Sequence, residues 1–238
     1  NASHYTLDLD HLLLRPLQQL LRAATMTAEL RPQFEALGQR LHERILSFGP
    51  LTQVLCHGDA HGDNNFIAVR EAGEREAVFF DFDDTGPGYL AYELAVYPWW
   101  LHPRNVDGVW SEKALVRWGH FLAAYREQRP VADADLAAIA AFVSVRQIWL
   151  LGEYAGRVST WGSQAMPTDY LQRQVKLLQV ARERWRSTIA ACAPPCPLPT
   201  MTTSTRSTWL FSWPMEDCRS AGRLASSVQA CWKCRALS

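Results

Sequence analysis

The sequence predicts an α+β fold that is predominantly α-helical and carries one small β-hairpin insert. Segments on both sides of residues 52–82 place apolar side chains at three- and four-residue steps, which is the period of an amphipathic helix. Short runs rich in β-branched and aromatic residues cluster within 52–82. The polar, glycine-rich loops are confined to the same insert, so we expect helices packed around it.

The helices can be predicted from apolar spacing and capping residues. Over 29–46, five apolar residues recur at helical intervals: Leu30, Phe34, Leu37, Leu41 and Ile45. Gly49 and Pro50 then end this helix. After the insert, Ser111, Asp133 and Thr168 each begin a segment of helical period, and their side-chain oxygens are of the type that caps a first turn.

Three short strands are predicted in the insert. They are TQVLC over 52–56, NFIAV over 65–69 and EAVFFDF over 76–82. The polar segment REAGERE, over 70–76, joins the last two as a hairpin turn.

Composition places the chain among globular proteins and excludes some partners. Hydrophobic residues make up 48% of the 238 positions, and the formal net charge is zero. No strongly basic surface is therefore expected for nucleic acid or an anionic membrane. The longest apolar stretch, LAAIAAFVSV from Leu136, is shorter than the roughly 20 residues of a membrane span. With no secretory signal pattern and only Cys56 in the first 191 residues, we expect a cytoplasmic protein.

The composition changes after Ala191. Residues 192–238 are rich in proline and hydroxyl side chains, lack apolar periodicity and contain five of the six cysteines. We therefore predict a folded body over 1–191 and a low-complexity tail over 192–238 that is disordered or translated out of frame. The tail cysteines are too irregularly spaced to favour a zinc site.

The candidate chemistry lies in CHGDAHGDNN, residues 56–65, between the first two predicted strands. Asp59 and Asn64 belong to the pattern His-x-Asp-x-His-x-x-Asn, and Asp81 comes at the end of the third predicted strand. A hairpin would bring all three to one opening. A lone Asp in a loop most often caps a turn, but the joint spacing of these three favours a functional site.

These residue types suit phosphoryl transfer. That reaction needs a carboxylate that orients and deprotonates the attacking hydroxyl, and oxygen ligands that hold Mg²⁺ against phosphate oxygens. Mg²⁺ prefers one or two carboxylates together with amide, water and phosphate oxygens. Asp81 and Asn64 supply the carboxylate and the amide, which leaves Asp59 to act as the base.

The motifs HGDAHGDNN, FFDFDD and GPGYLAYELA together resemble the aminoglycoside phosphotransferase and choline kinase family, relatives of the protein kinases. The resemblance covers roughly residues 1–190. It implies the C-terminal lobe of a protein-kinase-like fold, in which the hairpin insert carries the catalytic and metal loops. It also implies MgATP as phosphate donor and a small-molecule hydroxyl, such as that of an aminoglycoside, a choline-like compound or a related alcohol, as acceptor.

The resemblance assigns roles to individual residues. It makes Asp59 the catalytic base, Asn64 a metal ligand and Asp81 the main metal ligand. His57 is expected to brace the loop by hydrogen bonding. His61 stands where protein kinases place a lysine, so two interpretations stay open: contact with the transferred phosphate, or loop packing.

Four further acidic residues lie in or near the motifs. Asp83 and Asp84 are expected to support the metal ligands or to be solvated. Asp63 stands where the family usually has a small residue and adds negative charge near the metal. Glu93 stands where the family commonly has Asp, and we interpret it as a structural position.

Two other functions compete with a kinase. Asp81 and Thr85 are partly consistent with a haloacid-dehalogenase-like phosphatase, but DFDDT lacks the glycine of Asp-x-Asp-Gly-Thr, and that fold needs repeating strand–helix units. The second alternative is a non-catalytic remnant or interaction module. It gains support because the sequence before His57 contains no lysine and no predicted strand beyond 52–56, so the N-terminal ATP-binding β lobe is expected to be absent. Without that lobe, this chain alone is expected to be weakly active or inactive.

The acceptor stays open at this point. Aminoglycosides would need several carboxylates for their amino groups, whereas choline-like compounds favour aromatic cages. The candidate carboxylates are Glu153, Asp169, Asp133 and Asp135, and the candidate cage residues are Trp99, Trp100, Trp149, Tyr154 and Trp161. Tryptophans at helical spacing are more often core residues than cages.

Overall fold

The computed structural model describes residues 6–71, 73–102, 109–162 and 166–191, and most of these are helical. A short π-helical turn, Asp10–Leu14, leads directly into the first α-helix. The six α-helices are α1 Arg15–Leu21, α2 Arg31–Leu46, α3 Leu90–Leu101, α4 Glu112–Gln128, α5 Asp133–Trp161 and α6 Thr168–Ala191. The mostly helical fold predicted from the sequence is therefore confirmed.

Of the three predicted helix caps, Ser111 is confirmed, whereas Asp133 and Thr168 are wrong. Thr168 is the first helical residue of α6, and its hydroxyl donates to the carbonyl of Thr25 at 3.1 Å. Pro32 lies in the first turn of α2, where a missing backbone N–H leaves no helical hydrogen bond unmade. Ser111 caps α4 as predicted, since its Oγ accepts the N–H of Ala114 at 3.2 Å. The predicted Asp133 cap is wrong: Asp133 is the first helical residue of α5 and Ala132 precedes it without a side-chain cap.

Asp135, two residues further along α5, makes the contact that fixes the start of this helix. Its carboxylate accepts the backbone N–H of Thr52 at 3.0 Å and the Thr52 hydroxyl at 2.6 Å. Asp135 is only 1% exposed, so these bonds compensate its loss of water. The carboxylate thus joins the first turn of α5 to the segment that enters the first strand.

Helix α5 is the centre of the core, and α1, α2, α3 and α6 all pack against it. Its buried side chains include Phe142, Val143 and Ile148. By length and composition, Asp133–Thr160 also meets the requirement for a membrane span, which the shorter stretch predicted from Leu136 did not. This is weak evidence, because 67% of its most apolar window is buried inside the protein, as in the core helix of a globular domain.

The insert forms two sheets of two strands each. The strands are β1 Gln53–Cys56, β2 Asn65–Val69, β3 Arg75–Phe79 and β4 Gly86–Tyr89. β1 pairs antiparallel with β4, with Gln53 opposite Tyr89 and Cys56 opposite Gly86, while β2 pairs with β3. The hairpin β2–β3 therefore lies within the chain segment that connects β1 to β4.

Two details of the insert differ from the sequence prediction. The strand predicted over 76–82 ends at Phe79, so Asp81 lies in the following loop rather than on the strand. β4, with the sequence GPGY, was not predicted because glycine and proline are depleted in strands. Gly88 is needed for space: a Cβ here would lie 2.6 Å from the Cβ of Leu7 and 3.3 Å from the Sγ of Cys56.

The chain divides into two compact units. Among the described residues, the larger unit runs up to Phe66 and resumes at Phe79, and the smaller one contains the hairpin segment Ile67–Val78. Within this segment Arg70 forms an ion pair with Glu76, and its N–H bonds to the carbonyl of Glu74 at 2.7 Å. The predicted tail, residues 192–238, lies outside the described residues, so the domain boundary at 191 stays a prediction.

Cys56 should be unreactive while the protein is folded. Its side chain is 1% exposed, and burial raises the pKa of its thiol to about 12, with the Glu93 charge adding to the effect. We expect iodoacetamide at pH 8 to leave the Cys56 peptide unmodified in the native protein and to alkylate it in denaturant, because the thiolate is the reactive form. Peptide mass spectrometry measures both. Equal labelling in the two conditions would contradict the burial of this thiol.

Two glycines on α5 provide a matched test of the core. A Cβ on Gly152 would lie 2.4 Å from the Cα of Pro16, whereas a Cβ on Gly156 has no neighbour nearer than the Oε1 of Gln19 at 3.6 Å. Gly152→Ala should destabilise by about 1–3 kcal/mol through overpacking against α1. Gly156→Ala should be neutral or stabilise by up to about 1 kcal/mol through helix propensity. Urea unfolding measures both, and equal effects would contradict the α1–α5 contact.

Candidate active site

The loop between β1 and β2 contains the predicted motif and is held in a tight conformation. Gly58 has a φ of +84°, a region that favours glycine, and a Cβ here would lie 2.2 Å from the carbonyl oxygen of Asp84. The N–H of His61 bonds to the carbonyl of Asp59 at 2.8 Å, and that of Asn64 to the carbonyl of His61 at 3.0 Å. These two turns place the motif side chains together.

Asp59 and Asn64 are in direct contact. The Nδ2 of Asn64 donates to the Asp59 carbonyl at 3.0 Å and to Asp59 Oδ2 at 3.2 Å. Because a carbonyl oxygen only accepts, the amide orientation is fixed, with Nδ2 toward Asp59. Asn64 is 7% exposed, and its own carbonyl accepts the N–H of Phe80 at 3.2 Å, which ties the loop to the end of the hairpin.

Arg146 on α5 pairs with the other oxygen of Asp59. Its Nη2 forms an ion pair with Asp59 Oδ1, and its Nη1 donates to the hydroxyl of Tyr92 at 3.0 Å and to the Gly58 carbonyl at 3.4 Å. Sequence reasoning missed this residue. The available signal was a single charge inside the apolar run from Leu136 to Leu151, because a buried charge requires a partner.

Two of the five candidate cage residues, Trp99 and Trp149, contact a cation of the protein itself. The guanidinium of Arg146 lies over the ring of Trp149 at 4.2 Å and over that of Trp99 at 5.1 Å. The Nε1 of Trp99 is also engaged, since it donates to Gln147 at 2.7 Å. These two tryptophans therefore bind an internal cation.

His57 has the hydrogen bonds expected of a bracing residue. Its Nε2 lies 3.1 Å from the carbonyl of Phe80, and its Nδ1 lies 3.3 Å from the N–H of Asp59. The carbonyl can only accept and the amide can only donate, so the neutral tautomer with hydrogen on Nε2 satisfies both contacts. The ring also packs against Phe82, with centroids 4.5 Å apart. His57 thus links the two sides of the loop.

His61 lies beside Asp59 in its neutral form. Its Nδ1 accepts the N–H of Asp63 at 3.1 Å, and its Nε2 is 3.6 Å from Asp59 Oδ1. Burial lowers the pKa of His61, an effect that Asp59 opposes and Arg146 reinforces. The lowered pKa favours the neutral ring, and because Nδ1 accepts a hydrogen bond, the hydrogen of that ring lies on Nε2.

The acidic run after the hairpin occupies a strained turn. Asp81 is exposed and has a φ of +64°, which is unusual for a residue other than glycine. Its charge is among those that raise the pKa of His61, which places it within electrostatic reach of that ring. Asp84 packs against Gly58. Within the described ranges, no three His, Cys, Asp or Glu side chains are grouped closely enough to hold a metal.

Glu93 and Asp63, the two departures noted in the sequence, both make defined contacts. The Oε2 of Glu93 accepts the N–H of Gly58 at 3.0 Å. Burial raises the pKa of the Glu93 carboxyl, and the hydrogen bonds from Gly58 and His57 oppose that rise. Asp63 is exposed, and its Oδ2 accepts the indole N–H of Trp100 at 3.2 Å.

Comparison with known proteins places the chain in a family. Residues 5–131 match the family described as APH, the phosphotransferase enzyme family. An uncharacterized protein of Deinococcus radiodurans is 39% identical over 179 residues, which is 75% of this chain and 50% of that protein.

Solved structures show the same fold at low identity. A microcompartment-associated aminopropanol kinase matches with a TM-score of 0.57 and 20% identity, over 78% of this chain and 55% of its own. A choline/ethanolamine kinase family protein from Mesorhizobium loti matches with a TM-score of 0.52 and 13% identity, over 79% of this chain and 58% of its own. The chain thus spans about half the length of these relatives. Because the family match covers more than half of the 238 residues, the chain belongs to the phosphotransferase enzyme family, as the motif resemblance predicted.

Proposed function

We propose that this chain carries the catalytic half of a phosphotransferase that moves the γ-phosphate of ATP to a hydroxyl group of a small molecule. The observation that carries the proposal is the contact between Asp59 and Asn64 in a loop braced from several sides. A carboxylate and an amide group held side by side supply the residue types that phosphoryl transfer requires, the carboxylate as base and the Oδ1 of the amide as one metal ligand.

Asp59 is the proposed base. Its side chain is 19% exposed, so a hydroxyl group from solvent can reach it while Arg146 and Asn64 hold its two oxygens. The carboxylate would orient the acceptor hydroxyl and take its proton as the oxygen attacks phosphorus. A positioned base of this kind typically contributes about 10²–10⁴-fold to the rate.

Asn64 and Asp81 are the proposed Mg²⁺ ligands. The donor types fit this cation, since Asn64 has its amide hydrogens engaged and its Oδ1 left over, and Asp81 presents an exposed carboxylate. Bound Mg²⁺ would neutralise negative charge on the phosphate oxygens. Asp83 and Asp84 stay candidates for support of these ligands. We propose that His61 contributes the Nε2–H toward the phosphate, because its lowered pKa disfavours the cationic form.

The acceptor is proposed to be a small alcohol, and an amino alcohol is the first class to test. Two proteins of the same fold are named for aminopropanol and for choline or ethanolamine. Trp99 and Trp149 are already occupied by Arg146, so a cage for a quaternary ammonium group would have to come from other side chains. This favours acceptors with a primary amine over choline.

A second candidate function is a non-catalytic remnant. It is favoured by the finding that no three His, Cys, Asp or Glu side chains within the described residues are grouped closely enough to hold a metal. The phosphatase alternative has little support, because the described strands form antiparallel pairs rather than repeating parallel strand–helix units. MgATP binding separates an active chain from a remnant.

Titration calorimetry tests nucleotide binding directly. If the proposal holds, MgATP should bind the purified chain with a dissociation constant between about 1 μM and 1 mM, the usual range for enzyme substrates. Asp81→Ala should weaken this binding because it removes the proposed carboxylate ligand. Asp169→Ala, which removes an exposed carboxylate paired with Arg173 on α6, should leave it unchanged. Absence of binding to the wild-type chain would favour the remnant.

Asp59→Asn tests the proposed base. It should lower phosphoryl transfer to amino alcohols, with water as a reference acceptor, by about 10²–10⁴-fold while MgATP binding persists. Asp63→Asn, which makes the same change at an exposed position nearby, should keep most of the activity. Rates are measured as ADP released per enzyme. An Asp59→Asn variant as active as the wild type would rule out Asp59 as the base.

A further inference from the structure

The proposed reaction leaves one buried charged group beside the site without a role. Arg146 lies on the central helix α5, and its side chain is 2% exposed. Taking a guanidinium out of water is costly unless the charge is paired and hydrogen-bonded. The partners of Arg146 therefore indicate what the residue does.

The two amino groups of Arg146 both reach the catalytic loop. Nη2 binds Asp59 Oδ1, and Nη1 binds the Gly58 carbonyl at 3.4 Å and the Tyr92 hydroxyl at 3.0 Å. One residue thus holds the loop at the side chain of Asp59 and at the backbone immediately before it. A lysine, with a single ammonium group, has no equivalent planar fork for these separate partners.

The guanidinium is itself held in place. It lies over the rings of Trp149 at 4.2 Å and Trp99 at 5.1 Å, which come from α5 and α3. Cation–π contacts of this kind stabilise a desolvated charge and restrict its movement. The position of Asp59 Oδ1 is consequently set by two helices of the core in addition to its own loop.

We propose that Arg146 is a positioning residue for phosphoryl transfer, which holds Asp59 Oδ1 so that Oδ2 is the oxygen that accepts the hydroxyl proton. The inference rests on the proposed function. In that step the O–H bond of the acceptor breaks and its proton passes to Asp59. The acceptor oxygen forms a bond to the γ-phosphorus of ATP, and the bond from that phosphorus to the bridging oxygen breaks to release ADP.

Kinetics of three variants test this role, with MgATP as donor and water as acceptor. Arg146→Gln should lower kcat by about 100-fold or more, the effect of a misplaced catalytic group, with the KM for MgATP nearly unchanged. The kcat of Arg146→Lys should lie between those of Arg146→Gln and the wild type, because lysine retains the positive charge but not the planar fork. Arg157→Gln makes the same change on the surface of α5, where Arg157 pairs with Glu153, and should match the wild type.

Two kinetic results would overturn the positioning role. One is an Arg146→Gln variant with the kcat of the wild type. The other is an Arg146→Gln variant that changes KM alone, because that pattern reports a loss of binding rather than a misplaced base.

A double-mutant cycle gives a readout that does not depend on activity. The unfolding constants of Arg146→Gln, Asp59→Asn and the double variant are measured in urea. The fold-change in the unfolding constant of the double variant should differ by about 10-fold or more from the product of the fold-changes of the two single variants, as for buried residues in contact. Coupling below about 2-fold would overturn the inference by itself. A wild-type chain that turns over no MgATP would instead refute the proposed function and leave the cycle to decide on Arg146.

Discussion

The positive charge of Arg146, inside an otherwise apolar stretch of α5, is the constraint on which the rest of the site depends. The core around α5 excludes water, so the charge requires a carboxylate that the chain can bring to it. That carboxylate is Asp59, from a loop far away in the sequence. Gly58, the residue before Asp59, has a positive φ, and its carbonyl accepts from the same guanidinium.

Two further bonds fix the loop relative to other elements. Glu93, in the first turn of α3, accepts the N–H of Gly58, and His57 joins the carbonyl of Phe80 to the N–H of Asp59. Together with Arg146, these bonds come from α3, from the end of the hairpin and from α5. Side chains held in this way lose little freedom when a substrate arrives, which is the physical meaning of a preorganised site.

The sequence predicted what depends on local spacing. Helical periods identified α2 and α4, and β2 was predicted with its observed ends. Asp59 and Asn64 are only five residues apart in a tight loop, which brings their side chains into contact. Features that depend on distant partners were not predictable. β4 has glycine at position 88 because Leu7 and Cys56 leave no room there for a side chain. Arg146 was missed because its partner Asp59 lies 87 residues away in the sequence. β3 ends before Asp81, whose positive φ departs from extended backbone.

The hairpin β2–β3 has a consequence for how this fold can diversify. Asn64 lies just before β2, Asp81 lies just after β3, and the bond between the Asn64 carbonyl and the Phe80 N–H joins the two ends of the hairpin at its base. The spacing between the two side chains is therefore set at the base, and the residues of the tip do not determine it. The length and the residues of the tip can therefore change during evolution, and a peptide can be inserted there by design. Neither change should alter the geometry of the Asn64 and Asp81 side chains.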